Sequence, residues 1–209
     1  RAQRAGSTLL LGLPTSGEAG RYYNSLVMLG EAEGSYSKHH LVPFGEFLPF
    51  EQQLRPLLDF LSIPMSSFSA GEELQPTLNA GGLRFGATIC YEDAYASEVV
   101  KALPRANVLV NVSNDAWFGN SAAPHQHLQI ARVRALEFGR PLLRATNTGI
   151  SALIDHRGTL QAVSPQFEPY ALRGEVVPQS GLTPFARFGP WPAIGLSVLL
   201  VLLAVVRRR

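Results

Sequence analysis

The chain has 209 residues, a net charge of +2 at pH 7, and hydrophobic and charged fractions of 46% and 16%, a balance of folded globular proteins that excludes a disordered linker. Arginines 207–209 outweigh the small positive excess, so no basic stripe remains to read as a nucleic-acid surface. The one cysteine, Cys90, excludes an intramolecular disulfide framework and a multi-cysteine metal site.

The chain opens at Arg1 with neither a Met nor a basic and apolar leader, so it reads as an internal start with further sequence expected upstream. Short apolar or alternating runs bounded by Gly, Pro, Asn or Asp predict strands over 7–13, 23–29, 84–89, 108–112, 150–154 and 160–163. Helices are expected over 50–60, 94–102 and 125–138, the last carrying Leu128, Ala131, Ala135 and Leu136 at helical spacing. Asp155-His156-Arg157-Gly158 separates the last two strands as a hairpin turn. The alternation gives an α/β or layered α+β class, with sheets covered by helices.

From 188 to 206 the chain is uncharged, turns Leu/Val/Ala-rich after Trp191, and stops at three arginines. That is about the length needed to cross ~30 Å of hydrocarbon. A run with no polar face, an interfacial tryptophan and a basic stop favours a transmembrane helix over a buried core helix. The positive-inside rule then puts 207–209 in the cytoplasm and everything before 188 on the opposite face, which in a bacterium is periplasmic. The resulting plan is a globular domain over 1–184, a span over 188–206 and a basic tail.

Chemistry concentrates in two places. Residues 83–93 form an apolar strand ending at Cys90, followed by Tyr91, Glu92, Asp93 and a helix start, where backbone N–H groups favour a thiolate and an oxyanion. On residue type alone, a buried structural cysteine is the commoner reading. Residues 36–49 form a Pro/Gly-punctuated loop carrying Lys38 and Glu46; a lysine near Cys90 would stabilise a thiolate and a tetrahedral oxyanion, and Glu46 would hold it charged. Alone, these two would read as solvated surface charges. The pairs His39-His40 and His125/His127 lack the spacing of a zinc site and read as polar loop residues, so no metal and no cofactor is expected.

Taken together, Tyr23-Asn24-Ser25, residues 38–49, Ile89-Cys90-Tyr91-Glu92, residues 113–119, Arg134-Ala135-Leu136-Glu137 and Asn147-Thr148-Gly149-Ile150 resemble the bacterial apolipoprotein N-acyltransferases, the membrane branch of the nitrilase superfamily. The resemblance covers essentially the whole chain. It implies an αββα sandwich over 1–184, a Glu-Lys-Cys triad at the periplasmic face of the inner membrane, and two-step covalent catalysis. A phospholipid would acylate the cysteine, and the α-amine of a diacylglyceryl-cysteine apolipoprotein would then take the chain. By position, Cys90 matches the nucleophile, Lys38 the triad lysine and Glu46 the second glutamate of the lysine loop. Asn24, Tyr91, Glu92 and Trp117 match walls or supports of the site, and Glu137 reads as a structural carboxylate.

One departure matters. The triad glutamate of this family sits in a Pro-Glu motif with no match after Arg1, and Glu18 lies in an exposed-looking turn. Positioned acid–base catalysis contributes ~10²- to 10⁴-fold, so the 209-residue chain alone is expected to be nearly inactive. A soluble hydrolase using the same cysteine and a catalytically dead lipid or lipoprotein binder are the rival readings; the apolar segment 188–206 disfavours the first, and the joint presence of Cys90, Lys38 and Glu46 the second. Segment 49–69, rich in Leu and Phe, is expected to act as a membrane-facing lid.

Overall fold

A computed structural model describes residues 5–49 and 68–207. The helix expected over 50–60 and nearly all of the expected lid fall outside the described residues. Among the described residues nine strands form two sheets. The first is antiparallel, in the order β1 (Thr8–Ser16), β2 (Tyr22–Gly30), β3 (Gly34–Ser37). The second runs β4 (Leu78–Ala80), β5 (Leu83–Ile89), β6 (Val108–Ser113), β7 (Leu142–Thr146), β8 (Ala152–Ile154), β9 (Leu160–Val163).

Strands β5, β6 and β7 are parallel, and the pairs on either side are antiparallel. Central parallel strands are covered on both faces, which is why β6 reads as an unbroken apolar run, Val-Leu-Val. Its side chains alternate between two cores. Val108 and Val110 join Leu26 and Met28 of β2 and Phe85 and Ile89 of β5 between the sheets. Leu109 points the other way, toward Leu128, Ala131, Ala135 and Phe138 of the long helix α2 (Ala123–Phe138). The described residues thus stack as sheet, sheet and helix, three layers of the expected α/β sandwich.

Four expected strands are found within one to three residues of their predicted ends, 150–154 shortens to β8, and Leu160–Val163 matches as predicted. Three strands went unpredicted for separate reasons. β3 is Gly-Ser-Tyr-Ser, with no apolar signal, and is held by its pairing with β2. β4 is three residues long and is defined by the Gly81-Gly82 turn to β5, where both glycines adopt the positive φ that a two-residue hairpin demands, 55° and 76°. β7 contains Arg144, which reads as surface charge but is 3% exposed. The predicted Asp155–Gly158 turn forms, with Gly158 N–H donating to the Asp155 carbonyl at 3.0 Å.

Two helix expectations change. Segment 94–102 is not one helix: a 3-10 turn (Cys90–Ala94) is followed by extended Tyr95, a four-residue α1 (Ala96–Val99) and a second 3-10 turn (Val100–Ala102). Adjacent carboxylates Glu92 and Asp93 are both fully buried, and a tight turn aims them inward where a regular helix would expose one of them. On α2, Leu136 is 56% exposed and Phe138 takes its place on the buried face.

The segment 188–206, expected as one transmembrane helix, is divided near its start in the structure. Phe188 ends a short helix, α3 (Pro184–Phe188), Gly189 turns the chain at φ 58°, and α4 runs over Trp191–Arg207. At ~1.5 Å per residue α4 is about 26 Å long, and no helix among the described residues is long and apolar enough to cross a membrane. Its apolar side chains, Ile194, Leu199 and Val206 among them, are exposed. The approach to α3 is fixed by Arg140, 1% exposed, which donates to the carbonyls of Ala106 and Gly181, and by Thr183, which donates to the Glu137 carbonyl.

Gly86 on β5 marks a close approach to the segment that follows α1: a Cβ there would lie 2.7 Å from the Ala102 Cβ and 3.0 Å from the Ala106 Cβ. Gly86→Ala is expected to destabilise the domain by about 1–3 kcal/mol through overpacking. In urea this reads as a lowered midpoint with an unchanged slope, and an unaltered midpoint would show that the second sheet yields there.

Candidate functional site

Strand β5 delivers Cys90 to the C-terminal end of the parallel strands, where the chain turns sharply. Cys90 is half-buried and has φ 55°, a left-handed conformation that costs a non-glycine residue of order 1–3 kcal/mol. Strain of this kind persists only where neighbours over-determine it. Here the neighbours are identifiable. The Ile89 N–H donates to Glu92 Oε2 at 2.7 Å, and Asn111 Nδ2 on β6 donates to the Cys90 carbonyl at 3.0 Å.

Glu92 also reaches across to the lysine loop. Its Oε1 accepts from the backbone N–H groups of His39 (2.8 Å) and His40 (3.0 Å), and its Oε2 accepts from the Tyr36 hydroxyl at 3.1 Å. One fully buried carboxylate therefore ties the cysteine turn to the segment that follows β3. Burial pushes its pKa up, against the lowering pull of the His40, Ile89 and His39 N–H groups and the charge of Lys38. Burial, then the Glu92 charge, likewise holds the Tyr36 phenol above its usual range.

Lys38 itself is 0% exposed. Its N–H donates to the Asn24 carbonyl and its carbonyl accepts from Gly71, which anchors the backbone on both sides. Its Nζ lies 2.7 Å from Glu46 Oε2 and 5.1 Å from the centre of the Tyr91 ring, a cation over an aromatic face. At 2.7 Å the Glu46 carboxylate takes one ammonium proton, and the other two have no acceptor among the described residues. Glu46 is in turn oriented by Asn24 Nδ2 on Oε1 and by the Val42 N–H on Oε2, each at 2.8 Å. Tyr91 donates to the Leu41 carbonyl at 2.8 Å, and burial raises its phenol pKa.

The structure thus brings Asn24, Lys38, Glu46, Tyr91 and Glu92 into one contact set around the turn that carries Cys90. Trp117 is different: it stands 90% exposed on the 3-10 turn Asp115–Phe118 and makes none of these contacts. Glu18 is exposed on its own short turn, and Glu137 pairs with Arg134 at 2.7 Å. Chemically, a cysteine on a strained turn, whose next residue Tyr91 lies under a buried ammonium, suits attack on a carbonyl followed by stabilisation of the oxyanion.

A second buried group of charges was not anticipated. His127, expected as a polar loop residue, lies inside α2 at 7% exposure. It sits between Asp93 (3.0 Å) and Asp115 (3.2 Å), and Arg144 NH2 donates to Asp115 Oδ2 at 2.8 Å. Burial works to lower the His127 pKa, but the Asp115 and Asp93 carboxylates outweigh it and raise it to about 9. Burial also works to raise Asp115, and there the His127 and Ser113 hydrogen bonds and the Arg144 charge prevail and lower it. The helical position of His127 was readable from its place within 125–138, but its carboxylate partners come from elsewhere in the fold. Among the described residues no group of three or more His, Cys, Asp or Glu side chains is arranged to hold a metal ion.

Glu92→Ala leaves three buried backbone donors unpaired and is expected to cost at least ~2 kcal/mol in denaturant unfolding, a loss below ~0.5 kcal/mol showing instead that water replaces the carboxylate. For His127 the folded pKa lies above the ordinary 6.5, so its stabilisation is fully present below that value and is lost as pH rises through about 9. Unfolding midpoints are therefore expected to fall between pH 7 and pH 10 in the parent and to fall less in His127→Gln; parallel profiles would refute the assignment.

The family model of the carbon–nitrogen hydrolases matches residues 1–179. An apolipoprotein N-acyltransferase of Methylococcus capsulatus is 51% identical over 209 residues, 100% of this chain and 42% of that protein. One from Azotobacter vinelandii is 48% identical over 96% of this chain and 40% of its own. The chain thus spans about two fifths of the length of the curated relatives it matches. Among solved structures, Saccharomyces cerevisiae Nit3, a member of branch 10 of the nitrilase superfamily, superposes with a TM-score of 0.61 at 18% identity, over 80% of this chain and 59% of that one. At that identity the likeness speaks for the fold, which agrees with the two packed sheets and flanking helix seen here. With the match running through the cysteine strand and the lysine loop alike, this chain belongs to the carbon–nitrogen hydrolase family.

Proposed function

We propose that the protein carrying this chain is a phospholipid:apolipoprotein N-acyltransferase, with Cys90 as the residue that holds the acyl group. The observation that carries this reading is the buried Lys38–Glu46 pair, whose ammonium retains uncommitted protons beside the strained cysteine turn. The names of the relatives narrow the chemistry from carbon–nitrogen hydrolysis to acyl transfer.

In the first step the Cys90 thiol loses its proton to a glutamate supplied from upstream sequence, and the thiolate attacks the ester carbonyl of a phospholipid. Lys38 stabilises the oxyanion. The C–O bond breaks, the proton goes to the leaving alkoxide, and lysophospholipid departs from a thioester. In the second step the α-amine of a diacylglyceryl-cysteine apolipoprotein attacks that thioester. The C–S bond breaks, an amide forms, and the amine proton returns to the thiol through the same base. Glu46, set by Asn24 and Val42, keeps Lys38 charged through both steps.

Donor and acceptor both reside in a bilayer, and α4 supplies a use for its exposed apolar surface: burial in the inner membrane, with the catalytic domain on the periplasmic face. Trp117, exposed near the cysteine turn's supports, is assigned to the lipid-facing wall.

The test is intact-protein mass spectrometry of the full-length protein after incubation with phospholipid. A hydroxylamine-labile acyl mass that is absent from Cys90→Ser is the expected outcome. A folded protein that gains no acyl mass and releases no free fatty acid would refute the reading, and fatty acid release without acceptor would favour a hydrolase.

A further inference from the structure

The charge cluster behind the cysteine turn takes no part in the two chemical steps above, yet it touches the nucleophile's own backbone. His127 Nδ1 faces Asp115 Oδ1 at 3.2 Å, and Nε2 faces both Asp93 Oδ1 at 3.0 Å and the Cys90 carbonyl oxygen at 3.3 Å. Every one of these partners is an acceptor. A neutral imidazole offers a single N–H, so a ring packed this way uses both nitrogens as donors. The groups facing it are Asp93 from the cysteine turn, Asp115 from the turn after β6, and Arg144 from β7, which bridges toward Asp93 at 3.5 Å and holds Asp115 at 2.8 Å. Two cations and two carboxylates balance, which is the condition under which such a group is retained in a core.

The Cys90 carbonyl thus receives the Asn111 Nδ2 N–H and a share of the single His127 Nε2 N–H, which it divides with Asp93. Rotation about the Cys90 N–Cα bond moves the carbonyl and the side chain together. An oxygen held from two sides therefore restrains φ, and with it the direction of the Cα–Cβ bond that carries Sγ.

We propose that His127 is a positioning residue for the nucleophile: clamped by Asp93 and Asp115, it donates to the Cys90 carbonyl and locks the left-handed backbone that aims the thiol. The proposal rests on the reading of Cys90 as the acyl-bearing residue. The raised pKa of His127, about 9, agrees with a ring that keeps both protons at neutral pH.

The experiment is iodoacetamide alkylation of Cys90 in the full-length protein, located by peptide mass spectrometry and expressed relative to a free cysteine peptide at each pH. In the parent the relative rate is expected to change with a midpoint near pH 9. In His127→Gln the pH 7.5 rate is expected to differ from the parental one by about tenfold or more, and the pH 9 step to vanish. A folded His127→Gln protein with the parental rate and profile overturns the proposal. Should that variant fail to fold, amide hydrogen exchange of the unaltered protein decides: protection of the Cys90–Ala94 turn, corrected for intrinsic rates, falls across pH 9 while β6 stays protected, and constant protection of the turn to pH 10 overturns it. Alkylation needs no lipid, so these outcomes are independent of acyl transfer; an altered His127→Gln profile without any acyl adduct in the parent would sink the acyltransferase reading and leave the positioning role intact.

Discussion

Everything near the cysteine depends on the carboxylate of Glu92. It is fully buried, yet its four donors come from two stretches of chain that belong to different sheets: Ile89 at the end of β5, and Tyr36, His39 and His40 around the end of β3. Removing a charged carboxylate from water is costly, and only a full complement of donors offsets it. The offset exists in one arrangement, with the lysine loop seated against the cysteine turn. Lys38 is thereby placed by a neighbour it does not itself bond, and its partner Glu46 is aimed by Asn24 from the adjoining strand. The site is a meeting of two sheets, held by a polar clasp inside an apolar interface.

The apolar part of that interface explains the tolerance of the rest. Leu26, Met28, Phe85, Ile89, Val108 and Val110 form a continuous layer between the sheets, and Leu109 with the buried face of α2 forms another behind it. The charges of His127, Asp93, Asp115 and Arg144 occupy the end of the second layer beneath Cys90. They add geometric definition where packed hydrocarbon alone would leave a strained turn free to relax.

How legible this was in the sequence differs residue by residue. Cys90, Lys38 and Glu46 stood out because each sits in a long motif whose Pro and Gly punctuation survives without knowledge of the fold. The apolar strands around Phe85 and Val110 were readable from composition, since a buried parallel strand shows its burial directly. Arg144 and His127 were not, because a charge within a strand or helix reads as solvent-facing until its counter-charges are known, and those, Asp93 and Asp115, arrive from two other segments. β3 failed for a related reason: its extended form is set by its neighbour β2, with little preference of its own. At the far end, the helix begins at Trp191, later than the uncharged run itself, because Gly189 turns the chain, a local backbone feature that mean hydropathy does not register.

The Glu92 clasp also joins residues more than fifty positions apart along the chain. Contacts that distant form late in folding, after the strands that bring them together have paired. On a growing polypeptide the Cys90 turn therefore has no lysine loop seated against it until both sheets have docked. Assembly of the cysteine's surroundings is thus coupled to completion of the fold, and a misassembled copy would carry Cys90 on a turn with no clasp to hold it.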